Sequence, residues 1–316
     1  MIGRVALIGG THGNELTGVT AVRRAAAGLG PLAGGPASAE FETLIANPKA
    51  VQLCRRYVDR DLNRCFLRAD LAADLPDYEQ QRARSIDAVL GPKSSDRRRV
   101  DLAIDLHTTT SGLGPTVIVR EDDRLALRIA ALTVERVAGL RIMTYLVDAA
   151  DAGEVGGPGA AAGPGDYPFL VESAAHGIEV EVGPIAQGVI RAQTLTVTEQ
   201  IVAAIFDAVD AINAAQDQAA AARTVDVYRF VADVDYPRDA AGAVTGYVHP
   251  DLQDRDFFPL ERGAATFLQL DGSTTGYDRE PGLVPLFINE AAYYEKGVAF
   301  ALAQHRTIQL DTLEQR

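Results

Sequence analysis

His12 and Glu15 stand three residues apart in GGTHGNE, residues 9–15, directly after the apolar run RVALI. An imidazole and a carboxylate at that spacing, where a strand hands over to a helix, can both reach one metal ion. Open α/β sheets bind their ligands at that carboxyl edge. The run has no lysine of the kind that closes a phosphate loop, and no GxGxxG pattern. The plainer alternative on this spacing alone is a capping glutamate beside a hydrogen-bonded histidine.

A second stretch, DLAIDLHTTTSG at 101–112, alternates apolar and polar residues up to His107 and then becomes hydroxyl-rich. Two of the chain's five histidines, His12 and His107, therefore close apolar strands. Together His12, Glu15 and His107 make a two-histidine, one-carboxylate set that leaves a fourth position open for water. Zinc sites that do chemistry have that form. Asp105, two residues before His107 on the same face, is placed to accept the other ring proton; a solvated strand carboxylate is its alternative.

In HGIEVEVGPIAQG, residues 176–188, Ile178, Val180 and Val182 face one way and Glu179 and Glu181 the other. A carboxylate beside an open metal position can take a proton from water and pass it to a leaving nitrogen. Spacing does not choose between the two glutamates, though Glu181 lies nearer the strand end. RRYVDRDLNRCF, residues 55–66, carries four arginines. Asn63 and Arg64 within it can clamp a carboxylate, and an arginine aimed at the reacting carbonyl can stabilise a developing oxyanion.

The elements around these residues alternate over the first two hundred positions. Strand patterns at 4–8, 42–46, 100–106, 116–119 and 177–182 are interleaved with helical ones at 16–27, 79–90, 122–138 and 196–222. That order predicts an α/β fold, helices covering a central mixed or parallel sheet. Residues 150–166, ADAGEVGGPGAAAGPGD, read as a loop able to form a mobile rim. Beyond the alanine-rich helix come the short strand patterns VDVYRFV, GAVTGYV, ATFLQL and GLVPLFI. The expected division is a hydrolase domain over residues 1–210 and a smaller β-rich C-terminal domain over 211–316.

The 316 residues are 47% hydrophobic and 23% charged, an ordinary globular composition. A net charge of −13 argues against nonspecific binding to nucleic acid or to anionic membrane. The sequence starts on a strand-like run with no signal-peptide pattern, so a cytoplasmic location and reduced Cys54 and Cys65 are expected. Subunit number is not legible, and a homo-oligomer is compatible with everything above.

Taken together, GGTHGNELTGV, NPKAV, RRYVDRDLNR, GPK, DLHTTT, EVGPIAQGVIRA, VDYPRD, HPDLQDRDFFPL and INEAAYYEK resemble the aspartoacylase family, within the succinylglutamate desuccinylase/aspartoacylase group. The resemblance spans nearly the whole chain. It implies a core similar to zinc carboxypeptidases and a β-rich C-terminal domain leaning over the active site. It also implies hydrolysis of an N-acyl-L-amino acid with one Zn2+ per subunit, N-acetyl-L-aspartate giving acetate and L-aspartate being the first expectation. Carried over by position, His12, Glu15 and His107 match the zinc ligands and Glu181 the general base. Arg56 matches the arginine that polarises the scissile carbonyl. Asn63 and Arg64 match the pair holding the substrate α-carboxylate, and Tyr167 and Tyr293 match tyrosines of the pocket.

One departure bears on specificity. The namesake enzyme has an arginine four residues beyond the first pocket tyrosine, where it grips the aspartate side chain; an ungapped count places Val171 there. Losing a guanidinium opposite a buried carboxylate costs on the order of 2–5 kcal/mol. Either another cation, such as Lys296, replaces it, or the substrate is another N-acyl amino acid, aromatic or glutamyl. A metallocarboxypeptidase-like peptidase and a zinc-binding protein without turnover are the further alternatives.

Overall fold

A computed structural model describes residues 1–145, 165–214 and 223–310. Nearly all of the loop expected at 150–166, and the expected helix end at 215–222, lie outside the described residues. In chain order, β1 (Arg4–Gly9), α1 (Leu16–Ala26), β2 (Glu40–Ile45) and α2 (Pro48–Leu53) come first. Next are α3 (Arg68–Ala72), α4 (Tyr78–Leu90), β3 (Leu102–Thr108), β4 (Pro115–Arg120) and α5 (Arg124–Val134). Then come β5 (Arg141–Tyr145), β6 (His176–Val182) and α6 (Ala192–Asn213). The C-terminal part holds β7 (Arg223–Asp235), β8 (Gly246–Val248), β9 (Ala265–Gln269), β10 (Thr274–Gly276), β11 (Val284–Leu286) and β12 (Val298–Leu310).

Nine of these strands form one mixed sheet in the order β11-β12-β7-β5-β4-β6-β3-β1-β2. Neighbours from β2 through β1 and β3 to β6 run parallel, and β4 turns antiparallel against β6. The expected α/β fold with a large mixed sheet is what the chain adopts, with a smaller antiparallel sheet, β10-β9-β8, beside it. β7, β11 and β12 belong to the main sheet, so the C-terminal part continues it.

Alternation along the strands sorts the side chains. Leu102, Ile104 and Leu106 of β3, with Ile178, Val180 and Val182 of β6, join a core under α1, α5 and α6. The opposite face carries Ala103, Asp105 and His107, and Glu179 and Glu181. There a second core, which includes Leu62, Phe66 and Ile86, packs α4 and the 62–66 segment onto the sheet. α5 ends at Val134, earlier than the periodicity predicted, and the N–H groups of Arg136 and Val137 share Thr133 O at 3.0 and 3.1 Å just beyond it. No helix among the described residues is long and apolar enough to cross a membrane.

Candidate active site

The first two ligand candidates sit where β1 ends. Gly10 has φ +71°, a conformation that favours glycine, and a Cβ on Gly13 would lie 2.1 Å from the Ala50 backbone. These glycines turn the chain sharply and let it pass close to α2, so His12 and Glu15 project over the sheet edge. β3 runs beside β1 with Gly9 opposite Leu106, which brings His107 to the same edge. On its other side β3 pairs with β6, His107 opposite Glu181.

Three ligand atoms converge. His107 Nδ1 lies 3.0 Å from Glu15 Oε2 and 3.2 Å from His12 Nδ1, while His12 Nδ1 is 2.7 Å from Glu15 Oε1. All three residues are buried. Each imidazole is held from behind: His12 Nε2 is 3.0 Å from Asp61 Oδ1, and His107 Nε2 is 3.0 Å from Asp105 Oδ2. Thr11 Oγ1 donates to Asp105 at 2.8 and 2.9 Å, fixing that carboxylate in turn. Two ring nitrogens turned to one point, with a carboxylate behind each ring, is a donor set that fits a divalent metal ion.

The electrostatics are those of buried opposite charges. Burial pushes the Glu15 carboxyl up, but the two imidazoles outweigh it and hold Glu15 below the usual carboxylate range. For His107 burial opposes protonation, and Asp105 and Glu15 lift it well above the ordinary imidazole value. Glu181 is shifted upward by burial, reinforced by Glu15, Glu290 and Glu179 and opposed by His107.

Arg56 reaches the same point from the 55–66 segment. Its Nη1 donates to Glu15 Oε1 at 3.3 Å and its Nη2 to Asp61 Oδ2 at 3.1 Å, while its Nε is buried without a partner among the described residues. Lys93 braces the segment from below, donating to Phe66 O at 2.8 Å and pairing with Asp166 Oδ1 at 2.7 Å. From the C-terminal part, Glu290 accepts from Thr110 N at 2.7 Å and from Thr110 Oγ1 at 3.0 Å, tying down the loop after His107.

These residues surround a cavity of about 690 Å³. Arg56, Asn63, Arg64, Glu181 and Tyr293 line it with the three ligand candidates, and Asp105 lies beneath His107. Ile118, Met143, Tyr145, Phe169, Phe230 and Phe287 form an apolar wall, and Asp233, Asp235, Arg279 and Lys296 add charges. Tyr167 is elsewhere: its ring is 1% exposed and packs edge-on to Tyr145 at 5.2 Å, outside the lining. Val171, also 1% exposed, is packed in the core beside Leu170 and Ala174. Asp61 and Glu290 had no role in the reading of the sequence. A ligating imidazole needs a partner for its second nitrogen, which implies that a group such as Asp61 exists without marking which one.

A parallel-sheet edge carrying such a donor set, a half-buried glutamate beside it and an arginine facing it defines a metal-dependent hydrolase. The profile of the succinylglutamate desuccinylase/aspartoacylase catalytic domain matches residues 1–209, and that of the AstE/AspA barrel-sandwich hybrid domain matches residues 223–305. An N-acyl-aromatic-L-amino acid amidohydrolase (carboxylate-forming) B of Danio rerio is 36% identical, covering 99% of this chain and 96% of the relative. A probable aspartoacylase of Nostoc sp. is 37% identical, covering 97% and 98%. The crystal structure of murine aminoacylase 3 superposes with a TM-score of 0.86 at 34% identity, covering 99% of each chain. The chain belongs to the succinylglutamate desuccinylase/aspartoacylase family. Membership and the His12–Glu15–His107 triad together make it a zinc-dependent amidohydrolase.

Proposed function

We propose that the chain hydrolyses the amide of N-acyl-L-amino acids and prefers apolar or aromatic side chains to aspartate, as a cytoplasmic enzyme with one zinc ion per subunit. The observation that carries the preference is the cavity wall of Ile118, Met143, Tyr145, Phe169, Phe230 and Phe287. Val171, which an ungapped count sets where the namesake enzyme has its aspartate-gripping arginine, is a core residue outside that lining. An aromatic side chain buries about 150–250 Å², worth about 4–6 kcal/mol at 25 cal/mol per Å². An aspartate carboxylate against the same wall would lose water without gaining a partner. Identity does not separate the two substrate classes, because relatives named for each stand at 36% and 37%.

His12, Glu15 and His107 would hold the zinc ion, which supplies Lewis-acid polarisation of a carbonyl and a lowered pKa for water. Glu181 takes the proton of the attacking water and delivers it to the amine nitrogen as the C–N bond breaks. Arg56 faces the acyl oxygen and stabilises the charge that develops there. Asn63 and Arg64 bind the free carboxylate, so the leaving group is an amino acid. Tyr293 lines the same pocket, its ring tilted against that of Phe287 at 5.7 Å between ring centres.

The test is hydrolysis by zinc-loaded enzyme of N-acetyl-L-phenylalanine, N-acetyl-L-tyrosine, N-acetyl-L-aspartate, N-acetyl-L-glutamate and N-succinyl-L-glutamate. The aromatic substrates are expected to lead in kcat/KM by about tenfold or more. A lead for N-acetyl-L-aspartate would overturn the preference and point to Lys296 as the missing cation. Turnover of peptides alone would overturn the amidohydrolase reading of the pocket.

A further inference from the structure

β6 places two carboxylates on the cavity face, and the reaction above uses only Glu181. Glu179 lies deeper along the strand, opposite Asp105 of β3 and Ile118 of β4. It is 7% exposed and borders the cavity. Its Oε1 accepts a hydrogen bond from Asn63 Nδ2 at 2.8 Å. The other end of the same amide is also committed, since the Leu170 N–H donates to Asn63 Oδ1 at 2.8 Å. A backbone N–H can only donate, so this pair of contacts fixes which end of the amide is oxygen and which is nitrogen. The Asn63 backbone is pinned as well, its N–H donating to Asp61 Oδ1 at 3.0 Å. One Nδ2 hydrogen goes to Glu179. Its second has no partner among the described residues and is left for the cavity that Asn63 lines.

We propose that Glu179 is a positioning residue for carboxylate recognition, holding the Asn63 amide so that its second N–H meets the free carboxylate of an N-acyl amino acid. The inference rests on the reading in which Asn63 and Arg64 bind that carboxylate. The terminal torsion of asparagine is broad and soft, so an amide held by the Leu170 N–H alone spends less time aimed at the ligand. Glu179 acts through Asn63 and does not touch the reacting atoms.

Steady-state kinetics on the zinc-loaded enzyme test it, using the best N-acetyl amino acid of the panel and its C-terminal carboxamide. Glu179→Ala is expected to raise KM for the acid by about tenfold. Its kcat should stay within about threefold, and KM for the carboxamide should barely move. Glu179→Gln retains an acceptor oxygen and should recover most of the loss. The double variant Asn63→Ala/Glu179→Ala should be no worse than Asn63→Ala alone. Should the alanine variant fail to fold, Glu179→Met preserves side-chain length and removes the acceptor, carrying the same comparison. Equal KM effects on acid and carboxamide, a loss confined to kcat, or additivity in the double variant would each overturn the proposal. If Asn63→Ala raises KM and Glu179→Ala does not, this inference alone fails. If Asn63→Ala leaves KM unchanged, the carboxylate reading fails and takes this inference with it.

Discussion

Asp256→Asn is expected to stabilise the protein against its parent, by an amount that grows with pH and then levels. Asp256 lies between β8 and β9, 5% exposed, in the seam where the C-terminal part meets the loop after His107; a Cβ on Gly112 would lie 3.2 Å from its Oδ2. Its Oδ1 accepts from the Ile288 N–H at 3.2 Å, but Oδ2 is buried with no partner among the described residues. Burial lifts this carboxyl from 3.8 to about 7, with Asp254 adding to the rise and backbone N–H groups opposing it. Between those values the unfolded chain releases a proton that the folded one keeps, so stability falls as pH rises through the interval. At 1.36 kcal/mol per unit the full penalty is about 4 kcal/mol above pH 7, and local relaxation reduces it to about 2–4. Asparagine keeps the acceptor for Ile288 and never ionises. Urea unfolding of both proteins at pH 5 and pH 8 measures the effect, with any cost of the new amide cancelling between the two pH values. A stability difference that does not change from pH 5 to pH 8 would refute the reasoning.

Three further outcomes are expected. Glu181→Gln should keep its zinc, measured by metal analysis, while kcat falls by about 10²–10⁴-fold; near-normal kcat would remove Glu181 as the base. Asp61→Ala should weaken zinc binding by about 10–100-fold in a chelator competition, because it strips the partner from His12 Nε2 and one of the two carboxylates on Arg56; unchanged affinity would show that Asp61 does not support the ligand. Burial, helped by Arg64 and Arg56, lowers the Lys296 ammonium to about 8. It is charged below that pH and neutral above, so KM for an anionic substrate should rise as pH passes 8, and Lys296→Met should flatten that rise. A KM profile identical in parent and variant would contradict it.

The parts legible in sequence were those written in local periodicity. β3 and β6 alternate cleanly, so which face carried His107 and Glu181 followed from the order of residues, as did the strand-to-helix turn that presents His12 and Glu15. What escaped depends on contacts distant in the chain. Asp61 meets His12 across 49 residues and Glu290 meets Thr110 across 180, and nothing nearby in sequence marks either. β12 begins with VAFALA, a run apolar on both faces because it is buried on both, so period-two alternation fails where the strand is deepest. Counting from Glu181 puts Val171 at that position along the chain but does not show that the 170–173 turn packs against the core. Spacing leaves Glu179 and Glu181 both open and the family resemblance selects Glu181; the register with β3 sets Glu181 opposite His107 and Glu179 opposite Asp105.

β7 pairs with β5 in parallel, Met143 opposite Tyr228, and β12 then zips along β7. The boundary between the two matched profiles, at 209 and 223, is therefore a joint in sequence without being a hinge in mechanics. Swinging the C-terminal portion aside to admit a substrate would mean parting β7 from β5, paired at Met143–Tyr228 and Thr144–Arg229, and breaking ties such as Glu290 to Thr110. Exchanging C-terminal halves between relatives would graft Phe230 and Phe287 onto a foreign Ile118 and Met143. Such a chimera inherits half a wall from each parent, and its substrate range belongs to neither.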